Sequence, residues 1–196
     1  MSGAEITSAV ANVVTAVATC CAVFVAGFGL KTWKRELKGR ADFDAARQMA
    51  KATYSLRDAM TGYRSPLWLN HEFPNGDTKS PESYVVVFQN RSRSVADASS
   101  TFDTAMLEAE ALWGSTARER GSLLKNCVHR LFVATAAFVD DKRANGEHFK
   151  ADHKFGMDMR SVVSGMLDDE KNVLSTEISQ AVSAIEELLK PHLTRK

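Results

Sequence analysis

Between Glu5 and Lys31 the sequence has no charged side chain, so Ile6 to Leu30 is a run of 25 uncharged residues. Other scarcities extend over the whole chain. Four prolines and eleven glycines in 196 residues are too few for a linker-rich or collagen-like protein. Three cysteines, two of them adjacent, exclude a disulfide framework. An excess of one sign of charge is missing too. Lys plus Arg is 25 and Asp plus Glu is 24, which excludes a whole-protein electrostatic grip on nucleic acid, and no nucleic-acid partner is expected. Hydrophobic content of 44% and charged content of 25% are near the globular average and exclude wholesale disorder. The length is that of one domain, or two at most.

The uncharged run is ITSAVANVVTAVATCCAVFVAGFGL. As a helix it reaches roughly 37 Å, more than the roughly 30 Å hydrocarbon core of a bilayer. Five bases follow it, Lys31, Lys34, Arg35, Lys38 and Arg40, with Glu36 among them. Positive charge beside a membrane segment stays on the cytoplasmic side. Residues 6–30 therefore read as a single transmembrane helix of the bacterial inner membrane, N-terminus outside and residues 31–196 in the cytoplasm. Trp33 would sit near the headgroups. Two other readings compete. A secretory signal peptide needs a basic leader and a shorter apolar core, neither of which is present. A buried soluble helix draws on the Ala- and Thr-rich character of the run and on Asn12.

Residues 31–65 hold nine bases and four acids, while residues 66–196 hold 16 bases and 19 acids. The basic excess thus lies beside the bilayer. It serves as a topology signal, and anionic lipid headgroups could engage it through Lys31, Lys34, Arg35, Lys38 and Arg40. Within the run, Ala18, Ala22 and Ala26 are spaced small-xxx-small, which permits close helix approach and a homo-oligomer, although an Ala-rich segment makes such spacings easily.

Beyond the run the apolar period is helical throughout. Trp33, Leu37, Ala41, Ala45, Met49, Ala52, Leu56, Met60 and Tyr63 form one stripe, expected to end at Arg64-Ser65-Pro66, because the residue before proline avoids the helical region. Residues 66–80 read as a loop, with Trp68 and Phe73 tucked against the bundle. Ser80-Pro81-Glu82 is a helix start. It opens the stripe Tyr84, Phe88, Arg91, Val95, Ala98, Phe102, Ala105, Ala109 and Leu112, with Gly114 as a left-handed stop. The run YVVVF has strand propensity, but the length of the stripe decides for helix. Thr116 and Glu119 have the spacing of a capping box ahead of Leu124, Cys127, Leu131, Ala134 and Phe138. Residues 147–167 are ambiguous: Phe155, Met159, Val162 and Met166 keep helical spacing, and Gly156 and Gly165 weaken it. Asp168-Asp169-Glu170 suit the start of a last helix, whose stripe is Leu174, Ile178, Ala181, Ile185 and Leu188 and whose end is Lys190-Pro191. The expected fold is all-α: an N-terminal transmembrane helix (residues 6–30), then a cytoplasmic amphipathic bundle of about four helices (residues 31–196).

The signatures of catalysis are absent. No phosphate loop, G-x-G-x-x-G, G-x-S-x-G, H-E-x-x-H or C-x-x-C occurs. Cys127, on an apolar stripe, reads as packed and unreactive. His148 and Asp152 would share a helix face at i, i+4, with His153 beside them, but a catalytic zinc needs a third protein ligand and none is marked. No catalytic, cofactor-binding or metal residue is assigned, and no cofactor is expected. Arg91 breaks the apolar pattern of its stripe. A long arginine can snorkel to solvent, and that is the expectation; a buried one would need a carboxylate.

The segments Leu30-Lys-Thr-Trp33-Lys-Arg-Glu-Leu37-Lys-Gly39, Tyr54-Ser-Leu-Arg57-Asp58, Tyr63-Arg64-Ser-Pro66, Ala111-Leu112-Trp113-Gly114 and Leu189-Lys190-Pro191-His192-Leu193 resemble those of membrane-anchored helical proteins of bacterial genomes. The resemblance implies a bacterial origin and a cytoplasmic bundle behind an anchor, and it carries no activity. The expected function is a non-enzymatic scaffold or sensor that binds an unidentified protein or itself. The alternatives are an oligomeric effector that perturbs the bilayer in stress or phage response, and a metal-dependent hydrolase using His148, Asp152 and His153.

Overall fold

Every long apolar stripe in the sequence becomes a helix. The structure, a computed structural model, describes residues 3–67, 69–165 and 171–194. Its helices are α1 (Gly3–Tyr63), α2 (Pro81–Trp113), α3 (Ser115–Arg143), α4 (Glu147–Ala151), α5 (His153–Val163) and α6 (Val173–Leu193). Two 3-10 turns, Asn70–Glu72 and Pro74–Gly76, lie between α1 and α2. No strand occurs among the described residues, and Tyr84–Phe88 is helical as its length requires. The chain divides into two units, Met1–Phe43 and Asp44–Lys196.

In the first unit α1 carries an uninterrupted exposed apolar surface. Val17, Val23, Phe24, Val25, Phe28, Leu30, Trp33 and Leu37 are all exposed. Within this stretch the Thr19 hydroxyl donates to the Thr15 carbonyl at 2.8 Å, one turn back. By length and composition this helix can cross a membrane.

The second unit buries the rest of the stripes. From α1 it takes Ala45, Met49, Ala52, Leu56, Met60 and Tyr63; Trp33, Leu37 and Ala41, expected on the same stripe, are exposed. Helix α3 packs against α2, α5 and α6 and supplies Leu124, Cys127, Leu131 and Ala134 to the core. Leu174, Ile178, Ala181 and Ile185 come from α6, and Phe102 and Val95 from α2. Phe73 is buried as expected, with its ring edge-on to Tyr84; Trp68 lies outside the described residues, as do Met166 and Asp168-Asp169-Glu170.

Several boundaries differ from the sequence reading. Gly114 has φ +79° and ψ −164°, a positive-φ conformation but not the left-handed helical one, and it joins α2 directly to α3. Because α3 starts at Ser115, Thr116 is already inside the helix and its capping box with Glu119 does not form. Helix α6 starts from Asn172, whose side-chain oxygen accepts the Ser175 N–H at 3.1 Å. It runs through Pro191 to Leu193 rather than stopping there.

Within the ambiguous region 147–167 the described residues form two short helices, Glu147–Ala151 and His153–Val163, hinged at Asp152, where the backbone is extended (φ −125°, ψ 91°). Gly156, which weakened the helical reading, is required by packing. A Cβ there would lie 2.6 Å from Phe149 Cβ and 3.1 Å from Phe149 Cα, so α4 and α5 touch only because it is glycine. Gly62 is the opposite case, a helical glycine with open space around it. Gly156→Ala should therefore destabilise by about 1–3 kcal/mol through overpacking. Gly62→Ala should stabilise by up to about 1 kcal/mol through helix propensity. Thermal melts of the two variants in detergent check this: shifts in the same direction would contradict the close approach of α4 and α5.

Candidate functional site

A dense polar cluster of the second unit lies at the corner where α1 ends. Proline at position 66 forces the chain out of the helix, which leaves the last carbonyls of α1 without helical partners. Arg91 of α2 caps the last of them, at Tyr63, together with two carbonyls of the segment that follows. Its guanidinium donates to the carbonyls of Tyr63 (3.3 Å), Ser65 (2.9 Å) and Leu67 (2.8 Å). It also grips the Glu72 carboxylate with two bonds of 2.8 Å. The side chains of Arg91 and Glu72 are only 11% and 22% exposed. The expectation that Arg91 snorkels is thus overturned. The loop folds back over it, and an arginine on a core stripe becomes the cap of the helix before it. Glu72 is held below the ordinary carboxylate value, first by the Arg91 hydrogen bonds and further by the N–H of Leu69.

Arg64, the residue after α1, does the same for α5. It is 1% exposed. Its Nε donates to the Val162 carbonyl at 2.8 Å and its Nη2 to the Ser161 carbonyl at 3.3 Å, both in the last turn of α5. It also reaches the start of α6, at Asn172 Oδ1 (2.8 Å) and Ser175 Oγ (3.1 Å). A cation beside helix C-terminal carbonyls is favoured by the helix dipole. Gly165 closes the knot, since a Cβ at that position would lie 2.6 Å from Arg64 Nη2. Between the two arginines Tyr63 is buried, with its hydroxyl donating to Thr135 Oγ1 at 3.0 Å and its ring near Phe88 and Phe132. Burial raises its phenol above the ordinary value. Nothing in the sequence pattern singled out Arg64. Its one signal was the position just before a serine-proline break.

The residues weighed for metal binding do not assemble. His148 and Asp152 were expected on one helix face, but the chain breaks at Asp152. The Asp152 carboxylate caps α5 by accepting the Phe155 N–H at 2.9 Å. His148, Asp152 and His153 are exposed, and no group of three His, Cys, Asp or Glu side chains that could hold a metal occurs among the described residues. Cys127 is buried, and its thiol is pushed up to about 11 by that burial, with Glu177 adding to it. Such a thiol carries almost no thiolate at neutral pH. His192, near the end of α6, stacks on Trp113 with ring centroids 4.3 Å apart. An open cleft of about 340 Å³ lies between α2 and α3, with Phe88, Phe132 and Val139 on its walls and Arg143 at its rim.

Chemically, the corner is a structural coupler. Two guanidiniums donate to backbone carbonyls at and beyond the end of α1 and in α5, to Glu72, and to Asn172 and Ser175 at the start of α6. No protein-family model, curated protein or solved structure matches the chain.

Proposed function

We propose that this protein is a single-pass, membrane-anchored helical module that works by binding, as a scaffold or sensor, and not by catalysis. In this reading residues 6–30 span the inner membrane of a bacterium with the N-terminus outside. Residues 31–196 lie in the cytoplasm and engage another protein or a second copy. The observation that carries the reading is the exposed apolar surface of α1 from Val17 to Leu30, followed at once by Lys31, Lys34, Arg35, Lys38 and Arg40. A soluble protein rarely leaves such a surface in water. Binding is favoured over catalysis because the most buried charged groups among the described residues, Arg64 and Asp141, hold the backbone in place. A second reading, an oligomeric effector that perturbs the bilayer, draws on Ala18, Ala22 and Ala26, exposed at four-residue spacing.

Fractionation and reporter fusion test the anchor. The full-length chain should pellet with membranes and resist extraction by high salt or alkali, and a reporter fused after the last residue should be active only in the cytoplasm. Recovery of the intact chain in the soluble fraction would defeat the reading. Crosslinking in membranes separates the scaffold from the oligomeric effector: a ladder of homo-oligomers that disappears on Ala22→Leu favours the effector.

A further inference from the structure

The five bases after the apolar run are not equivalent on the helix. At about 100° per residue, Lys31, Lys34, Arg35 and Lys38 stand at i, i+3, i+4 and i+7 and share one face, within an arc of about 100°. Arg40 lies on the opposite side, where its Nη2 is 2.6 Å from the Glu36 carboxylate. The four are exposed, and none of their side chains makes a hydrogen bond or ion pair among the described residues. Flanking them on the adjacent arc are Leu30, Trp33 and Leu37, 64%, 64% and 53% exposed. This stretch of α1 therefore presents a cationic strip beside an apolar one. All four cations fall within about 12 Å, along the axis, of the last residue of the uncharged run. That distance is comparable with the Debye length at physiological salt. The nearest acid on the same side is Asp42, a turn beyond Lys38.

We infer that Lys31, Lys34, Arg35 and Lys38 form a binding face for anionic phospholipid headgroups of the leaflet at which the span ends, with Arg40 neutralised by Glu36 and taking no part. The inference rests on the membrane anchor proposed above and names its lipid partner. The chemistry is that of ammonium and guanidinium groups meeting phosphate oxygens. Trp33 and Leu37 would enter the boundary between headgroups and acyl chains, which fixes the rotation of the helix and turns the cationic strip toward the phosphates. A topology signal alone requires only the number of bases, not their confinement to one face.

The test uses the full-length protein reconstituted in vesicles of equal parts phosphatidylcholine and phosphatidylglycerol. Trace spin-labelled forms of each lipid report how much of each is held at the protein boundary. The wild type should hold phosphatidylglycerol in preference to phosphatidylcholine by roughly fivefold, and raised salt should weaken the preference. Combining Lys31→Gln, Lys34→Gln, Arg35→Gln and Lys38→Gln should bring the ratio to near unity. Arg40→Gln should leave it unchanged. Excess inorganic phosphate should not displace the bound phosphatidylglycerol. The inference is overturned by a preference that survives the fourfold variant, by an equal loss on Arg40→Gln, or by displacement with phosphate, which would make the face a free-phosphate site. Flotation separates the two readings. A chain that fails to float with pure phosphatidylcholine vesicles defeats the anchor and this inference together, whereas one that floats but shows no headgroup preference defeats this inference alone.

Discussion

Arg64→Ala should be the most damaging single substitution in the helical unit, lowering stability by about 3–5 kcal/mol. Arg64 is 1% exposed, and its guanidinium donates to the Ser161 and Val162 carbonyls, Asn172 Oδ1 and Ser175 Oγ, groups of two other helical segments. Two of its acceptors keep a partner when it is removed. Ser161 O still accepts from Asn172 Nδ2 at 2.6 Å, and Asn172 Oδ1 still accepts the Ser175 N–H. The Val162 carbonyl and the Ser175 hydroxyl lose their arginine donors, and a cavity of side-chain size opens beside them. Arg64→Lys should recover little, because a single ammonium on a flexible stem cannot reproduce a planar fork that reaches α5 and α6 at once. Against a total stability of ordinarily about 5–15 kcal/mol, the loss is a large fraction. Arg93, exposed on α2, is the control, and its alanine variant should fall within about 0.5 kcal/mol of wild type. Denaturant melts in detergent measure the size of the effect, and hydrogen exchange locates it: the first amides of α6 should lose protection before those of α3. If Arg64→Ala melts with the Arg93 control, the knot does not hold α5 to α6.

The helices were legible because their apolar residues recur at steps of three and four, and that period persists under almost any packing. Met49 to Tyr63, Phe88 to Ala109 and Leu174 to Ile185 are therefore buried where the stripe put them. Cap chemistry was less legible, because a cap depends on where the chain turns and not on residue type alone. Thr116 and Glu119 have the spacing of a capping box, yet the helix starts one residue before Thr116 since Gly114 makes the whole turn. Pro191 costs α6 only the hydrogen bond that its missing N–H would have made to the Glu187 carbonyl, and the helix runs two residues past it. The arginine-centred corner was the least legible. Arg91 was visible as a break in an apolar stripe, but whether it faces water depends on a loop of some fifteen residues folding back over it. Arg64 carried no pattern at all, since its partners lie about a hundred residues away. The stripe of α1 illustrates the same limit from the other side. Its period runs from Trp33 to Tyr63 without a break, but it is buried only from Ala45 on.

Arg91→Met should cost about 2–3 kcal/mol and loosen the segment between α1 and α2. Methionine fills the volume of the arginine stem, so the loss is in polar contacts and not packing. Three backbone carbonyls at and just beyond the end of α1 lose their arginine donor, and Glu72 loses both its bonds to Arg91. The cost stays below that of Arg64→Ala because Glu72 is 22% exposed, and water can take over part of its solvation. The loop should become the first site of proteolytic cleavage, between Pro66 and Ser80, while the wild type resists there. The pair also predicts an acid response. Glu72 titrates below the ordinary carboxylate value of 4.5 when folded, so its folded form prefers the charged state. Its contribution is therefore fully present above about pH 4.5 and is lost as the pH falls through the lowered folded value. Melting temperature should drop across that window in the wild type, and the Glu72 part of the drop should be missing from Glu72→Gln. Glu72→Gln should itself be milder than Arg91→Met, near 1 kcal/mol at neutral pH, because the amide oxygen can still accept from Arg91 or from the Leu69 N–H. Equal melting temperatures for wild type and Arg91→Met at neutral pH, with identical acid profiles for wild type and Glu72→Gln, would show that Arg91 stands in solvent and that α1 is capped by other means.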